Sequence, residues 1–479
     1  MKILFSKKAR DIESMIYLIS FSTYLLFNRI VPITNFFDPI NGILFLLFAG
    51  FGCLLILQDL LTDRYIFKTK FYWVLILFLI VLSISSILNF QYGWVDNLKT
   101  IIWFGIHFFV VYTISLRFKN SKNFIFKLFL FLDIIFSVCL VISCYQFIFQ
   151  MELYKPMHAG VVKNQGFIGG RLFGVFSDPN AAAMISLWFL IFNFYLLKSK
   201  KFTGKFNVVI NYLFIILDVL YILLSGSRTA EITMFLVLIL GLYLFIHNLN
   251  ACGDKRIKIK ILQCIFVVIL FFPVMTGIKK VSSHVPNVVE NIKINNVSVS
   301  EKKEESTNIV KVEVKQEKDI LERKDISKEN LTNNRFQIWQ GYLTALNKGN
   351  CIFGLSPRNA ISYIKEHNPE NYIAQSGYIA HSDYLAVIAY TGFAGFAVFI
   401  LLAVLILKDV LKKLCIKKKL DDFYIMAILI IFSILLYGFT YRDILFCNTI
   451  TGFVFWLFMS YILNVKDDGI YEEDSTPRI

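Results

Sequence analysis

The sequence predicts an all-α, polytopic integral membrane protein, and three observations carry that prediction. Of the 479 residues, 57% are hydrophobic and only 17% charged, and the mean hydropathy is +0.62; soluble domains hold about 45–50% apolar and about 25% charged residues. Apolar runs close to the bilayer-spanning length of about 20 residues recur along the chain. Basic residues are crowded into alternate connections between those runs.

The runs fall near residues 13–32, 42–61, 71–89, 99–116, 124–150, 179–197, 206–225, 228–247, 259–277, 384–407, 422–440 and 444–464, which predicts about twelve transmembrane helices. The first run lacks a small-residue cleavage site and is long for a signal-peptide core, so it is read as a retained helix.

The formal net charge is +15, but its distribution argues against a nucleic-acid surface. The segments MKILFSKKAR, TDRYIFKTK, RFKNSKNFIFK, LKSKKFTGK, GDKRIKIK, LKDVLKKLCIKKK and the C-terminal tail hold 27 Lys and Arg. The short connections between them hold seven: Arg29, Lys99, Lys155, Lys163, Arg171, Arg228 and Arg442. This is the positive-inside pattern, and it predicts a multi-pass membrane protein with both termini cytoplasmic. The eight cysteines show no close-paired spacing, so neither a disulfide framework nor a zinc site is expected.

Two outer segments interrupt the short connections. Residues 1–277 read as helices 1–9 with an outer loop at 151–178, residues 278–383 as one large extracytoplasmic loop between helices 9 and 10, and residues 384–479 as helices 10–12 with a cytoplasmic tail. Inside the large loop, 301–329 carries nine acidic and eight basic residues and no aromatic, too little apolar surface to offset the entropy of ordering it, so a solvated insertion is expected. From NNRFQIWQGYLTALNK onward, Phe336, Trp339, Tyr342 and Leu343 recur at helical spacing and predict an amphipathic helix.

Arg171, Arg228 and Arg442 all lie beside helix ends on the side that the charge pattern depletes of cations. Arginine near a membrane is costly to keep there, and three facing one compartment point to a shared anion. A phosphate or pyrophosphate fits, because a guanidinium can pair two oxygens at once. The plain alternative is that each arginine touches a nearby carbonyl or acid, Glu231 for Arg228 and Asp443 for Arg442. In SDPNAAAM, Asp178 or Asn180 can cap the sixth helix with Pro179 in its first turn, which would leave an anion-binding helix N-terminus beside Arg171. His381, just before helix 10 in AHSDYLAVIAYTGFAGF, is the candidate general base; a capping or interfacial role is its alternative. The Gly392–Gly395 pair would let another helix approach closely.

At these residues the chain resembles the O-antigen ligase and polymerase superfamily of bacterial membrane glycosyltransferases. RLFGVFSDPNAAA is similar to the family's Arg-x-x-Gly-x-Phe…Pro-Asn segment and LLSGSRTA to its Ser-x-Ser-Arg segment. NRFQIWQGYL…IFGLS and HSDYLAVIAYTGFAGF resemble its Arg…Trp…Phe-Gly and His-x-x-Tyr-Leu…Gly-x-x-Gly segments. The resemblance covers roughly 165–400, and it departs from the family at Ser356, in place of the second glycine of a Gly-x-Gly, and at Ser382, where Asn is common.

The resemblance implies transfer of a glycan carried on polyprenyl pyrophosphate, such as undecaprenyl pyrophosphate, at the outer leaflet. Arg171 and Arg228 would hold the pyrophosphate, with Arg335 and Arg442 as secondary phosphate contacts, and His381 would take the proton of the acceptor hydroxyl. Such an inverting displacement calls for no nucleotide sugar, no metal and no other cofactor; the Asp421–Asp422 and Asp467–Asp468 pairs fall on the cytoplasmic side. The expected partners are the lipid-linked oligosaccharide donor and acceptor, membrane lipid, and flippase and chain-length regulator proteins; nucleic acid is not among them. Abundant Lys, Ile, Phe and Asn with only nine Pro suggest an AT-rich genome, common among bacteria without lipopolysaccharide, which favours a capsule or surface-polysaccharide polymerase over a ligase. A non-enzymatic flippase for lipid-linked oligosaccharide is the rival class; it would need ionisable residues along a central path, for which Asp133 and Asp218 are among the few deep candidates.

Overall fold

A computed structural model describes residues 6–156, 162–199, 204–251, 256–300, 320–321, 334–416 and 418–465. Every apolar run falls on a helix. Ser6 caps α1 (Lys7–Phe27), its hydroxyl accepting the Ala9 N–H. The short α2 (Val31–Phe37) leads through a tight turn into α3 (Asn41–Leu61), followed by α4 (Tyr72–Leu88). α5 (Trp94–Ile106) continues through a π-helical turn, His107–Val111, to α6 (Ile114–Arg117), and α7 (Ser121–Ile148) follows.

The outer segment after α7 is not helical. It forms a three-stranded antiparallel sheet, β1 (Glu152–Pro156), β2 (Val162–Ile168) and β3 (Arg171–Gly174), in the order β1-β2-β3. This sheet is an addition to the all-α expectation. Apolar periodicity does not reveal it, because its strands are short and mixed in character.

Four long helices follow: α8 (Pro179–Ser199), α9 (Lys205–Leu224), α10 (Arg228–Ala251) and α11, which runs from Ile257 to Ser300, past the end of its apolar run at 277. The charged insertion 301–329 lies outside the described residues except for 320 and 321. Beyond it come α12 (Arg335–Lys348), the short α13 (Ala360–His367) and α14 (Tyr372–Ser376), then α15 (Asp383–Leu414), α16 (Asp422–Gly438) and α17 (Ile450–Asn464). α12 is the amphipathic helix expected there, but its buried stripe is Ile338, Tyr342, Ala345 and Leu346, while Phe336 and Leu343 are exposed.

Eight helical segments among the described residues are long and apolar enough to cross a membrane, and α4, α16 and α17 are shorter apolar helices. The outer surface of α11 shows why a bilayer is required: Leu262, Phe266 and Ile269 are each more than 60% exposed. Apolar surface on that scale would not stay free in water. The last apolar run differs from its expectation. Helix α17 begins at Ile450 rather than near 444, because the N–H groups of Asp443, Ile444 and Leu445 are bound to the Asp383 carboxylate and Thr449 provides the cap.

At one end of the bundle, ion pairs tie the basic connections together: Arg10–Asp63 at 2.7 Å, Lys122–Asp421 at 2.8 Å, Lys198–Asp422 at 2.6 Å and Lys70–Asp409 at 2.8 Å. The other end is stitched by backbone. Val31 donates to the Val175 carbonyl and Ser177 to that of Arg29, joining the α1–α2 turn to the segment after β3.

Candidate functional site

The candidate residues come from five parts of the chain. At the first corner, Asp178 resolves the capping alternatives: its carboxylate accepts the Asn180 N–H at 2.8 Å and its carbonyl the Ala182 N–H. The Asn180 side chain is thereby free for another task, and its Oδ1 accepts from Arg171 at 2.8 Å. The same guanidinium donates through Nε to the Ser225 carbonyl at 2.9 Å. Arg171 therefore staples β3 to the start of α8 and to the α9–α10 turn, the nearby-carbonyl alternative raised for it above.

That turn carries Arg228. Ser225 and Ser227 fold it locally, the Ser225 hydroxyl accepting the Ser227 N–H and the Ser227 hydroxyl accepting the Ala230 N–H. Arg228 opens α10 with an exposed side chain, and among the described residues no hydrogen bond or ion pair reaches it. Glu231, its plain alternative partner, instead pairs with Lys279 at 3.4 Å.

The second corner is built around His381, held at a positive φ of +47°, a conformation uncommon outside glycine. Its neighbours impose it. Ala380 is buried, the Ser382 hydroxyl accepts the Leu385 N–H as the cap of α15 while reaching the Gly438 carbonyl at 3.2 Å, and Asp383 donates its own N–H to Tyr441. Serine and asparagine are both good caps, so Ser382 performs the local work of the residue common in the family. No hydrogen bond among the described residues reaches the His381 ring; Tyr378 packs near it at 6.3 Å.

Asp383 is a hub rather than an orienter of His381. Its Oδ2 accepts from Asp443 and Ile444, both at 3.0 Å, and its Oδ1 from Leu445 at 3.1 Å. The loop so held presents Arg442, whose Nη1 donates to the Tyr390 hydroxyl at 2.6 Å and whose Nε is buried without a partner among the described residues. Asp443, the alternative acid for Arg442, pairs instead with Arg29 and accepts from Thr451. Tyr441 donates to Asp178 and closes the ring between the two corners.

Arg335 opens α12, half-buried, and together with Arg442 it acts electrostatically on His381. Burial first, then these two cations, hold the imidazole below its ordinary pKa of 6.5, while Asp178 works in the opposite direction. His381 is accordingly neutral at pH 7 and able to accept a proton.

At Gly392, the first member of the Gly392–Gly395 pair, a loop rather than a helix makes the close approach. At Gly392 (φ +65°, ψ −166°) α15 breaks, and the backbone of Cys351–Leu355 fills the gap: Leu355 donates to Ala389, Phe393 to Cys351 and Ala394 to Ile352, all at 2.9–3.0 Å. Ser356 adopts a φ of +148°, the glycine-like geometry its place in the motif suggests, and its hydroxyl lies 3.2–3.3 Å from the Asn97 amide.

Asp178, Tyr441, Arg29 and Asp443 are the members of this cluster that the sequence reading did not assign to a site. Arg29 was visible as another cation on the depleted side, but its partner lies more than 400 residues away. Residues 213–400 match the family model described as O-antigen ligase. The match contains Arg228, Arg335 and His381 and leaves Arg171 and Arg442 outside. No curated protein matches the chain.

Proposed function

We propose, on the match of residues 213–400 to the O-antigen ligase family model, that the chain is a membrane glycosyltransferase that polymerises polyprenyl-pyrophosphate-linked repeat units into a surface polysaccharide at the outer leaflet. Arg228, exposed and without a protein partner among the described residues, takes the pyrophosphate as its primary contact. Arg171 sets the turn that presents Arg228 and adds its charge, and Arg335 and Arg442 contribute positive potential beside His381.

In the transfer, the neutral His381 ring accepts the proton of an acceptor sugar hydroxyl as that oxygen attacks the donor's anomeric carbon. The bond from that carbon to the pyrophosphate oxygen breaks, inverting the centre, and polyprenyl pyrophosphate leaves with its new negative charge facing the arginines. The observation that carries this reading is a half-buried, cation-flanked imidazole that no hydrogen bond among the described residues reaches. A histidine kept only to cap a helix would spend its ring on a backbone group.

The two rival readings fare differently. A ligase would use the same centre with another acceptor, so the cluster does not separate it from a polymerase. The flippase reading loses support, because Asp133 and Asp218 are wholly buried and bridged by the Asn193 amide at 3.5 and 3.3 Å, an interhelical lock rather than a path. The test supplies purified protein with a polyprenyl-pyrophosphate repeat unit and compares wild type with His381→Ala. Chain growth by wild type alone is expected; transport without bond formation would overturn the reading in favour of a flippase.

A further inference from the structure

Arg228 is not the only cation at its end of α10. Glu231 stands three residues after it, on the same face of the helix, and its Oε1 accepts from Lys279 of α11 at 3.4 Å. Two helices thus bring two cations and one carboxylate together, which leaves a positive surplus where α10 begins. Lys279 lies on the stretch of α11 beyond the apolar run that ends at 277, and the transfer described above does not use it.

The contact between Lys279 and Glu231 is loose. At 3.4 Å it is the longest ion pair among the described residues, against 2.6 Å for Lys198–Asp422 and 2.8 Å for Lys122–Asp421. Charge-assisted bonds close to about 2.7–2.9 Å when both groups are committed to them. The two side chains are 34% and 28% exposed, and ion pairs in contact with water contribute little to stability. Glu231 turns to Lys279, and Arg228 keeps no hydrogen bond or ion pair among the described residues. A single carboxylate cannot balance both cations.

The space beside them selects the anion. A cavity of about 810 Å³ opens between α8, α10, α11 and α16, within the range of about 300–1,000 Å³ typical of small-molecule sites. Met234 and Met275 line it one turn inward from Glu231 and Lys279, and its wall follows α10 as far as Phe245, about three turns. Leu190, Val237 and Leu429 make the lining there apolar. Cations at the rim of an apolar cavity match an amphiphile with a phosphate head and a hydrocarbon chain. A free phosphate would leave the cavity unused, and an uncharged lipid would leave the cations unmatched.

We propose that Lys279 is a second ligand of a lipid pyrophosphate held at Arg228, and that Glu231 is the counterion this ligand displaces. Arg228 grips two oxygens with its fork, and Lys279 balances the remaining charge as a point cation. The Glu231 carboxylate, repelled by the incoming phosphates, gives up Lys279, and the hydrocarbon chain runs into the cavity between α10 and α11. That this ligand is the donor of the transfer rests on the reading above; the exchange of Glu231 for a lipid pyrophosphate does not.

The test uses the full chain in nanodiscs of phosphatidylcholine, which carries no net charge, with farnesyl pyrophosphate and inorganic pyrophosphate as probes. Binding is measured by calorimetry for wild type, Lys279→Gln and Glu231→Gln, with thermal unfolding as a folding control. Farnesyl pyrophosphate should bind Lys279→Gln roughly three- to tenfold more weakly than wild type, and Glu231→Gln more tightly by a similar factor. A pair that only ties α10 to α11 would make the two variants change alike. That result, or no change in either, would overturn the proposal.

Inorganic pyrophosphate should follow the same order with lower affinity throughout. Affinity equal to that of farnesyl pyrophosphate would remove the cavity from the site and overturn the lipid assignment. In turnover, the donor KM should rise in Lys279→Gln and fall in Glu231→Gln. Opposite shifts in binding by a protein that joins no glycans would keep this site and sink the transfer, whereas chain growth without those shifts would keep the transfer and sink this site.

Discussion

Asp383 holds Asp443 by its backbone and not by its charge: the Asp383 Oδ2 accepts the Asp443 N–H at 3.0 Å, while the Asp443 carboxylate pairs with Arg29. Two buried acids so close avoid a simple repulsion because each faces a different donor set. The consequence is that the start of α15, just after His381, and the loop bearing Arg442 are one mechanical unit. Asp383→Asn replaces an acceptor oxygen by an amide nitrogen and sets a donor against at least one donor. A stability loss of about 1–3 kcal/mol is expected in thermal unfolding. Turnover should fall further than the unfolded fraction accounts for; equal loss of the two would reduce Asp383 to a purely structural residue.

The pH profile follows from the surroundings of His381. Burial and the charges of Arg335 and Arg442 depress its pKa, and Asp178 raises it. The base form is the active one, so kcat/KM should rise with pH through a midpoint below the ordinary 6.5 and be flat near neutrality. Arg335→Gln removes a cation that opposes protonation, which moves the acidic limb to higher pH. Asp178→Asn removes an anion that favours protonation and moves it lower. Profiles that superimpose for wild type and both variants would show that His381 is not the titrating base.

Arg171 and Arg228 make separable predictions although they share a turn. Arg228 has no protein partner among the described residues, so Arg228→Lys should leave insertion and thermal stability intact. It should cut turnover by at least about tenfold, since a point charge replaces a planar fork. Arg171 donates to both Ser225 and Asn180, and Arg171→Lys should lower stability and turnover together. Unchanged turnover in Arg228→Lys would remove it from the pyrophosphate site.

The break in α15 is testable through glycines. A Cβ at Gly354 would stand 2.4 Å from the Tyr390 carbonyl carbon, and one at Gly392 2.3 Å from the Ile352 carbonyl oxygen. Both residues have positive φ and both obstructions are backbone, which has no cheap way to give. Gly354→Ala and Gly392→Ala should each cost at least about 2 kcal/mol. Gly50→Ala, in a helix with nothing within 4 Å, should be neutral or slightly stabilising. Similar melting temperatures for all three variants would refute the close backbone approach.

The helices were legible because a bilayer forces long apolar runs, and the arginines proposed for the site stand out as cations on the depleted side. The pairings in the cluster stayed hidden because their partners are remote in sequence. Arg29 and Asp443 are 414 residues apart, and Tyr441 and Asp178 are 263 apart, so neither pairing leaves a local pattern. The sheet at 152–174 was hidden differently. Its strands are short and its ordering comes from contact with α7, as where the Ser143 hydroxyl accepts the Val175 N–H. The start of α17 was misread because hydropathy registers apolar residues such as Ile444 and Leu445 without knowing that their N–H groups are taken by Asp383.

Ser356 offers the sharpest local test, because strain and hydrogen bonding oppose each other there. Its φ of +148° is glycine-like, which penalises a side chain by about 1–3 kcal/mol. Its hydroxyl offsets this by pairing with Asn97, whose Oδ1 also accepts the Arg358 N–H at 3.0 Å. Ser356→Gly relieves the strain and loses the hydroxyl, so the two changes should nearly cancel, to within about 1 kcal/mol. Asn97→Ala gains nothing, strands the Arg358 N–H and leaves the hydroxyl only the Asn359 N–H at 3.4 Å, which should cost about 1–3 kcal/mol. Measured by thermal unfolding in the same detergent, Asn97→Ala should therefore melt well below Ser356→Gly. The reverse order would mean that the hydroxyl and not the backbone geometry governs this turn.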